Sequence, residues 1–148
     1  MFNIFANNTP LLAHSMKEPV TCFLIDDDED DQELFTLALK KVDPSLTCVV
    51  ADDCGEALKK LRQEESFLPQ YIFLDLNMPR MHGKQCLVEL KKIARIKHIP
   101  IIIYSTSSEP KDIQETKELG ATDFLTKPPL ISTLTARLAK LLLDRPMA

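Results

Sequence analysis

The strongest constraint in this sequence is a pattern that recurs five times: a short apolar run closed by a polar residue, followed by residues at helical spacing. Thr21-Cys22-Phe23-Leu24-Ile25 stops at Asp26, and Leu34, Phe35, Ala38 and Val42 then mark a helix that Pro44 forbids from continuing. Leu46-Thr47-Cys48-Val49-Val50 is β-branched and strand-like. Ala57, Leu58 and Leu61 follow it as a second helix, with Asp52 or Asp53 as its N-cap. Tyr71-Ile72-Phe73-Leu74 ends at Asp75 and leads to a helix with Leu87, Leu90 and Ala94 on one face. Ile101-Ile102-Ile103-Tyr104 ends at Ser105, and residues 110–119 make a short helix with Gly120 at its C′ position. Asp123-Phe124-Leu125-Thr126 is the fifth strand, before an amphipathic helix carrying Ile131, Leu134, Leu138, Leu141 and Leu142.

Runs this short, apolar at consecutive positions, suit strands buried on both faces. Strands that alternate with helices need crossover connections, so the sheet is expected to be parallel with helices on both faces. The pattern suits an α/β fold of the flavodoxin-like kind, with strand order 2-1-3-4-5. The expected division is an N-terminal extension at 1–19, one domain at 20–143 and a tail at 144–148. Residues 1–19 lack the basic and apolar regions of a secretory signal. No apolar stretch approaches the ~20 residues needed to cross a membrane. Lys and Arg number 18 against 22 Asp and Glu, a net charge of -4, which argues against direct DNA binding through a basic surface.

In a parallel sheet the carboxyl ends of the strands share one edge, and function gathers there. Four of the five ends carry groups suited to phosphoryl chemistry: Asp26-Asp27-Asp28, Asp75 followed by Asn77, Ser105-Thr106, and Lys127. Carboxylates brought this close repel unless a cation intervenes. All-oxygen ligation favours Mg²⁺ or Mn²⁺. Lys127 adds a fixed positive charge. A carboxylate beside such a metal can act as a nucleophile towards a phosphoryl group.

With these elements in order, the chain resembles the receiver domain of two-component response regulators. The resemblance is carried by Phe-Leu-Ile-Asp-Asp-Asp at 23–28, Phe-Leu-Asp-Leu-Asn-Met-Pro at 73–79 with Gly83, Pro-Ile-Ile-Ile-Tyr-Ser at 100–105, and Gly-Ala-Thr-Asp-Phe-Leu-Thr-Lys-Pro at 120–128. It implies that Asp75 is the phosphoacceptor and that Mg²⁺ is the cofactor. Asp26 and Asp27 match the acidic pair, Asp27 as the direct ligand. Asn77 matches the position whose backbone carbonyl completes the metal shell. Ser105 matches the switch hydroxyl and Phe124 the aromatic switch position. Lys127 matches the phosphate-contacting lysine, with a cis peptide bond to Pro128.

The same resemblance implies the partners. A sensor histidine kinase or histidine phosphotransfer protein would donate the phosphoryl group, and an unknown downstream protein would receive the signal. The expected location is the cytoplasm. The chain would assist its own phosphorylation and dephosphorylation without being a conventional enzyme. No output domain is expected after the last helix. Two other readings use the same residues: a receiver fold that binds partners without phosphorylation, and a haloacid-dehalogenase-like phosphatase. The phosphatase pattern needs a second Asp as acid/base where this chain has Asn77.

Other features carry simpler expectations. Asp28 to Asp31 are explained by the preference of acids for a helix N-terminus. Cys22, Cys48, Cys54 and Cys86 form no CxxC pair and are expected to be small buried thiols rather than metal ligands or disulfides. His14, His82 and His98 make no metal-ligand cluster. His82 stands where an Asp is common in the resembled family, and Pro129 replaces a bulky apolar residue at the start of the last helix.

Overall fold

The computed structural model describes residues 20–143. The expected extension and tail lie outside the described residues. Five strands, β1 Thr21–Ile25, β2 Thr47–Ala51, β3 Tyr71–Leu74, β4 Ile101–Ser105 and β5 Asp123–Thr126, alternate with helices. These are α1 Glu29–Val42, α2 Cys54–Gln63, α3 Gly83–Lys91, α4 Pro110–Glu118 and α5 Ile131–Leu143. The strands pair in parallel in the order β2-β1-β3-β4-β5, as expected. Central strands β3 and β4 are buried at every residue, whereas edge strands β2 and β5 are only partly covered. No described helix is long and apolar enough to cross a membrane.

Successive strand residues point to opposite faces, and each face makes its own core. Phe23, Ile25, Ile72, Leu74, Ile101 and Ile103 pack against Ala57, Leu58 and Leu61 of α2 and Leu87 and Leu90 of α3. Cys22, Leu24, Phe73, Ile102 and Tyr104 pack against Phe35, Ala38 and Leu39 of α1 and Leu134, Leu138 and Leu142 of α5. α4 buries only Thr116.

The caps are largely those anticipated. Asp28 caps α1 by accepting from the Asp31 N–H at 3.1 Å, and Asp53, not Asp52, caps α2 by accepting from Glu56 at 2.8 Å. Gly120 has φ +103° just after α4. Its N–H donates to the Lys117 carbonyl while that of Ala121 donates to Thr116, which closes the helix in a left-handed turn. Pro129 does not disturb α5, whose first turn closes with Leu134 N–H donating to the Leu130 carbonyl at 3.1 Å.

Three expectations need correction. Ala94 lies in a short 3₁₀ turn, Ala94–Ile96, and not in α3. Bonds from Lys92 to Glu89 and from Ile93 to Leu90 tighten the end of α3, and Ile93 is then extended. No described peptide bond is cis, so Lys127–Pro128 is trans. Trans is the favoured isomer even before proline, and it still lets the Lys127 N–H bond the Ser105 carbonyl at 2.7 Å. Finally, Cys54 and Cys86 are joined in a disulfide, with Cα atoms 5.9 Å apart. The two are 32 residues apart in sequence and meet only because α2 packs beside α3. Cys22 and Cys48 are free, as expected, and burial pushes the Cys22 thiol up to about 12.

Gly83 is the tightest point of the fold near the Asp75 strand end. A Cβ there would lie 2.5 Å from the Asp75 carbonyl oxygen and 2.5 Å from Leu76 Cα, both backbone atoms that cannot swing aside. Gly83→Ala should therefore destabilise the protein by about 1–3 kcal/mol, the cost of overpacking. Gly55→Ala is the control: its Cβ would meet only the Asp53 side chain, at 3.4 Å. A helical Gly→Ala change of that kind should stabilise by about 0.5–1 kcal/mol. Denaturant melts of the two variants check both signs.

Candidate functional site

Adjacent strands deliver the first two acids side by side. Ile25 pairs with Leu74 in the β1–β3 register, so Asp26 and Asp75 leave the sheet together, and the Asp75 N–H donates to the Ile25 carbonyl at 3.0 Å. Asp26 and Asp75 are buried and Asp27 is exposed. One oxygen from each of the three lies within 4.8 Å of the others. Asp26 Oδ1 accepts from the Asp28 N–H at 2.9 Å, and Asp75 Oδ1 from the Asn77 N–H at 3.3 Å. Asp26 Oδ2 is buried without an aligned hydrogen-bond donor.

Lys127 enters this cluster from the far edge of the sheet. It follows β5, and only 8% of its side chain is exposed. Its Nζ lies 2.8 Å from Asp26 Oδ2, 2.7 Å from Asp31 Oδ2 and 3.7 Å from Asp75 Oδ1. The close approach to Asp26 is ionic rather than directional, since no aligned hydrogen bond forms there. The Tyr104 ring stands 5.2 Å from the ammonium and adds a cation–π contact.

Burial governs the proton affinities. It lifts Asp26 to about 6, although the Lys127 ammonium and the Asp28 N–H pull the other way. It also raises Asp75, against the Lys127 charge and the Asn77 N–H, with Asp27 and Asp31 adding repulsion. For Lys127, burial disfavours the charged form, but the close Asp26 carboxylate, the hydrogen bond to Asp31 and the charge of Asp75 outweigh it and hold the ammonium above the usual lysine range.

The remaining expected residues fall around this centre. Ser105 ends β4, is fully buried, and accepts through Oγ from the Ser107 N–H at 3.3 Å. Phe124 pairs with Ile103 across the sheet and packs partly buried against the α2–α3 core. With Ile113, Thr116 and Lys117 it lines a groove of about 290 Å³ beside α4. Asn77 is exposed in the loop after β3. In the same loop Arg80 has φ 69°, a left-handed conformation unusual for a non-glycine residue, closed by the Met81 N–H donating to the Pro79 carbonyl at 2.8 Å.

Two participants were missed by sequence reasoning. Asp31 is part of the Lys127 cluster, not merely a helix-start acid. The signal was there: Asp31 lies four, seven and eight residues before Phe35, Ala38 and Leu39, on the buried stripe of α1. Lys84 at the start of α3 is the other. It reaches Asp112 at 2.6 Å and Glu115 at 2.5 Å on α4, and Asp112 also accepts from the Ser107 hydroxyl at 3.4 Å. His82 takes the N-cap of α3, accepting through Nδ1 from the Lys84 N–H at 3.1 Å.

Parallel αβ architecture with acids, a hydroxyl and a lysine at one edge defines a class, and comparison with known proteins agrees. Residues 22–139 match the model of the response regulator receiver domain, so the chain belongs to that family. Response regulator Rcp1 of Synechocystis sp. is 31% identical over 120 residues, which cover 78% of this chain and 82% of Rcp1. The crystal structure of the Mn²⁺-bound form of Rcp1 superposes with a TM-score of 0.73 at 28% identity, over 83% of this chain and 91% of that one. The phosphorylated cyanobacterial phytochrome response regulator RcpA gives 0.76 at 30% identity, over 84% and 91%. The chain is thus a receiver domain of two-component signalling.

The raised Asp26 carries a definite pH signature. Between the usual 3.8 and about 6 the folded protein keeps a proton that the unfolded chain has released. Stability contributed by that retained proton is lost as pH rises through this interval. Asp26→Asn cannot ionise there, so in chelator-treated samples its melting temperature should gain on wild type between about pH 4 and pH 6. Parallel melting curves would contradict the assignment.

Proposed function

We propose that Asp75 accepts a phosphoryl group from a phosphohistidine on a sensor histidine kinase or a histidine phosphotransfer protein. The observation that carries this reading is the convergence of Asp26, Asp27 and Asp75 on one edge with the Lys127 ammonium beside them. In the transfer an Asp75 oxygen bonds to phosphorus as the donor's P–N bond breaks and the imidazole leaves.

The donor set suits a hard divalent cation. It offers three clustered carboxylates, one of them with a buried oxygen lacking an aligned donor, and all-oxygen ligation is what Mg²⁺ takes. Asp26, Asp27, Asp75 and the Asn77 carbonyl would hold it, Asp26 through water. Bound there, Mg²⁺ would offset negative charge on the phosphoryl oxygens. That Rcp1 is known in a Mn²⁺-bound form and RcpA in a phosphorylated one supports both parts of the reading.

The protein's own groups do the rest. Lys127 is the fixed cation that can turn to the phosphoryl oxygens. Ser105 donates its hydroxyl to one of them when its loop moves towards Asp75. Phe124 then turns inward and changes the face made by α4, β5 and α5, where a downstream protein would dock. α4 is easily moved, since Thr116 alone anchors it in the core. The phosphoryl group biases two existing states by its differential contacts and no more. The domain so read assists its own phosphorylation and dephosphorylation, works in the cytoplasm opposite its kinase and needs no contact with DNA. The Cys54–Cys86 bond is of a kind rare in reducing compartments, so in the cytoplasm it would be open to reduction.

Incubation with acetyl phosphate and Mg²⁺, followed by mass-spectrometric mapping, tests the acceptor. Asp75 should carry the adduct, Asp75→Asn should carry none, and a chelator should abolish labelling of the wild type. Stable labelling of Asp75→Asn at the wild-type level would contradict the proposal.

A further inference from the structure

Lys127 has two hydrogen-bonding or ionic partners closer than Asp75. Its Nζ is 2.7 Å from Asp31 and 2.8 Å from Asp26, against 3.7 Å from Asp75. The Asp31 contact is a hydrogen bond; the Asp75 separation lies beyond hydrogen-bond range. An ammonium has three donors and no acceptor, so each carboxylate that takes one of them also sets where the charge points.

Asp31 differs from its neighbours in the acidic run. Asp28 is the helix cap, and Glu29 and Asp30 are exposed. Asp31 stands on the inward stripe of α1, and its side chain is 32% exposed. It is not one of the three acids whose oxygens converge as a metal cluster. It therefore competes with Asp75 for the ammonium, 2.7 Å from Nζ against 3.7 Å, and remains a competitor when Asp26 is engaged elsewhere.

We propose that Asp31 is a positioning residue for phosphoryl transfer: it holds the Lys127 ammonium off Asp75 in the resting domain and must release it as Asp75 is phosphorylated. This rests on the reading of Asp75 as the phosphoacceptor. Asp31 thereby sets how readily the domain takes a phosphoryl group. The charge on the phosphoryl oxygens draws Lys127 over, against the pull of Asp31.

The test uses beryllofluoride, which stands in for the phosphoryl group, at fixed Mg²⁺, together with initial rates of labelling by acetyl phosphate. Asp31→Asn keeps the shape but removes the charge. It should bind beryllofluoride more tightly and label faster, by about threefold to fivefold, the scale of one partly exposed charge pair. Asp31→Glu keeps the charge and should fall back towards wild type. In a Lys127→Met background Asp31→Asn should change neither quantity, because the effect runs through the ammonium. An unchanged Asp31→Asn single variant, or a gain that persists without Lys127, would overturn the proposal while wild type still takes the label. Wild type that takes neither beryllofluoride nor phosphoryl would overturn the phosphoacceptor reading, and this inference with it.

Discussion

The Lys127 ammonium is the interaction on which the functional edge of this domain depends. It joins four elements from three separate stretches of the sequence: the end of β1 through Asp26 and the first turn of α1 through Asp31, the end of β3 near Asp75, and the end of β5 that carries the lysine itself. Parallel pairing forces the strand ends onto one rim, and the rim is buried enough to lift both Asp26 and Asp75 above the ordinary carboxylate range. Negative groups held in such a place need a compensating charge. In the metal-free protein that charge is Lys127; in the phosphorylated state, on the proposed reading, the same ammonium moves to the new oxygens.

A second ionic junction sits one layer out. Lys84, at the start of α3, grips Asp112 and Glu115 on α4. Asp112 in turn touches Ser107, whose N–H bonds Ser105. α4 is thus positioned by polar contacts more than by burial, with Ile113 and Leu119 left exposed. A helix held in this way can be shifted by rearranging a few hydrogen bonds, which suits a segment lying between the buried Ser105 and the groove beside Phe124. Gly83, at the same end of α3, packs against the Asp75 and Leu76 backbone, so the first turn of α3 touches both the β3 strand end and α4.

Much of this was legible in the sequence, because strand ends are where period and polarity change together. Asp75 after four apolar residues could by itself be a cap or turn residue; its occurrence together with Asp26-Asp27, Ser105 and Lys127 at other strand ends is what leaves few other readings. Five such units in alternation imply the sheet and its order. What escaped depended on contacts across elements. Asp31 was hidden in a run of acids that helix capping explains well, and only its spacing to Phe35, Ala38 and Leu39 separates it from Glu29 and Asp30. Lys84 has no local partner; its acids lie on another helix, although Asp112 and Glu115 stand three apart on one face of α4. Cys54 and Cys86 have no recognisable spacing, and helix packing alone brings them together. The isomer at Pro128 depends on the chain around it, and a trans bond meets the Ser105 carbonyl well.

The most direct test of the account is the melting temperature of Lys127→Met with and without Mg²⁺. Met keeps most of the aliphatic stem and removes only the charge. Without Mg²⁺ the variant should melt below wild type at neutral pH, since Asp26, Asp31 and Asp75 then face one another with no cation between them. Adding Mg²⁺ should shrink the deficit by supplying positive charge to the same carboxylates. Equal melting of variant and wild type in metal-free buffer would contradict the claim that this one ammonium holds the site together.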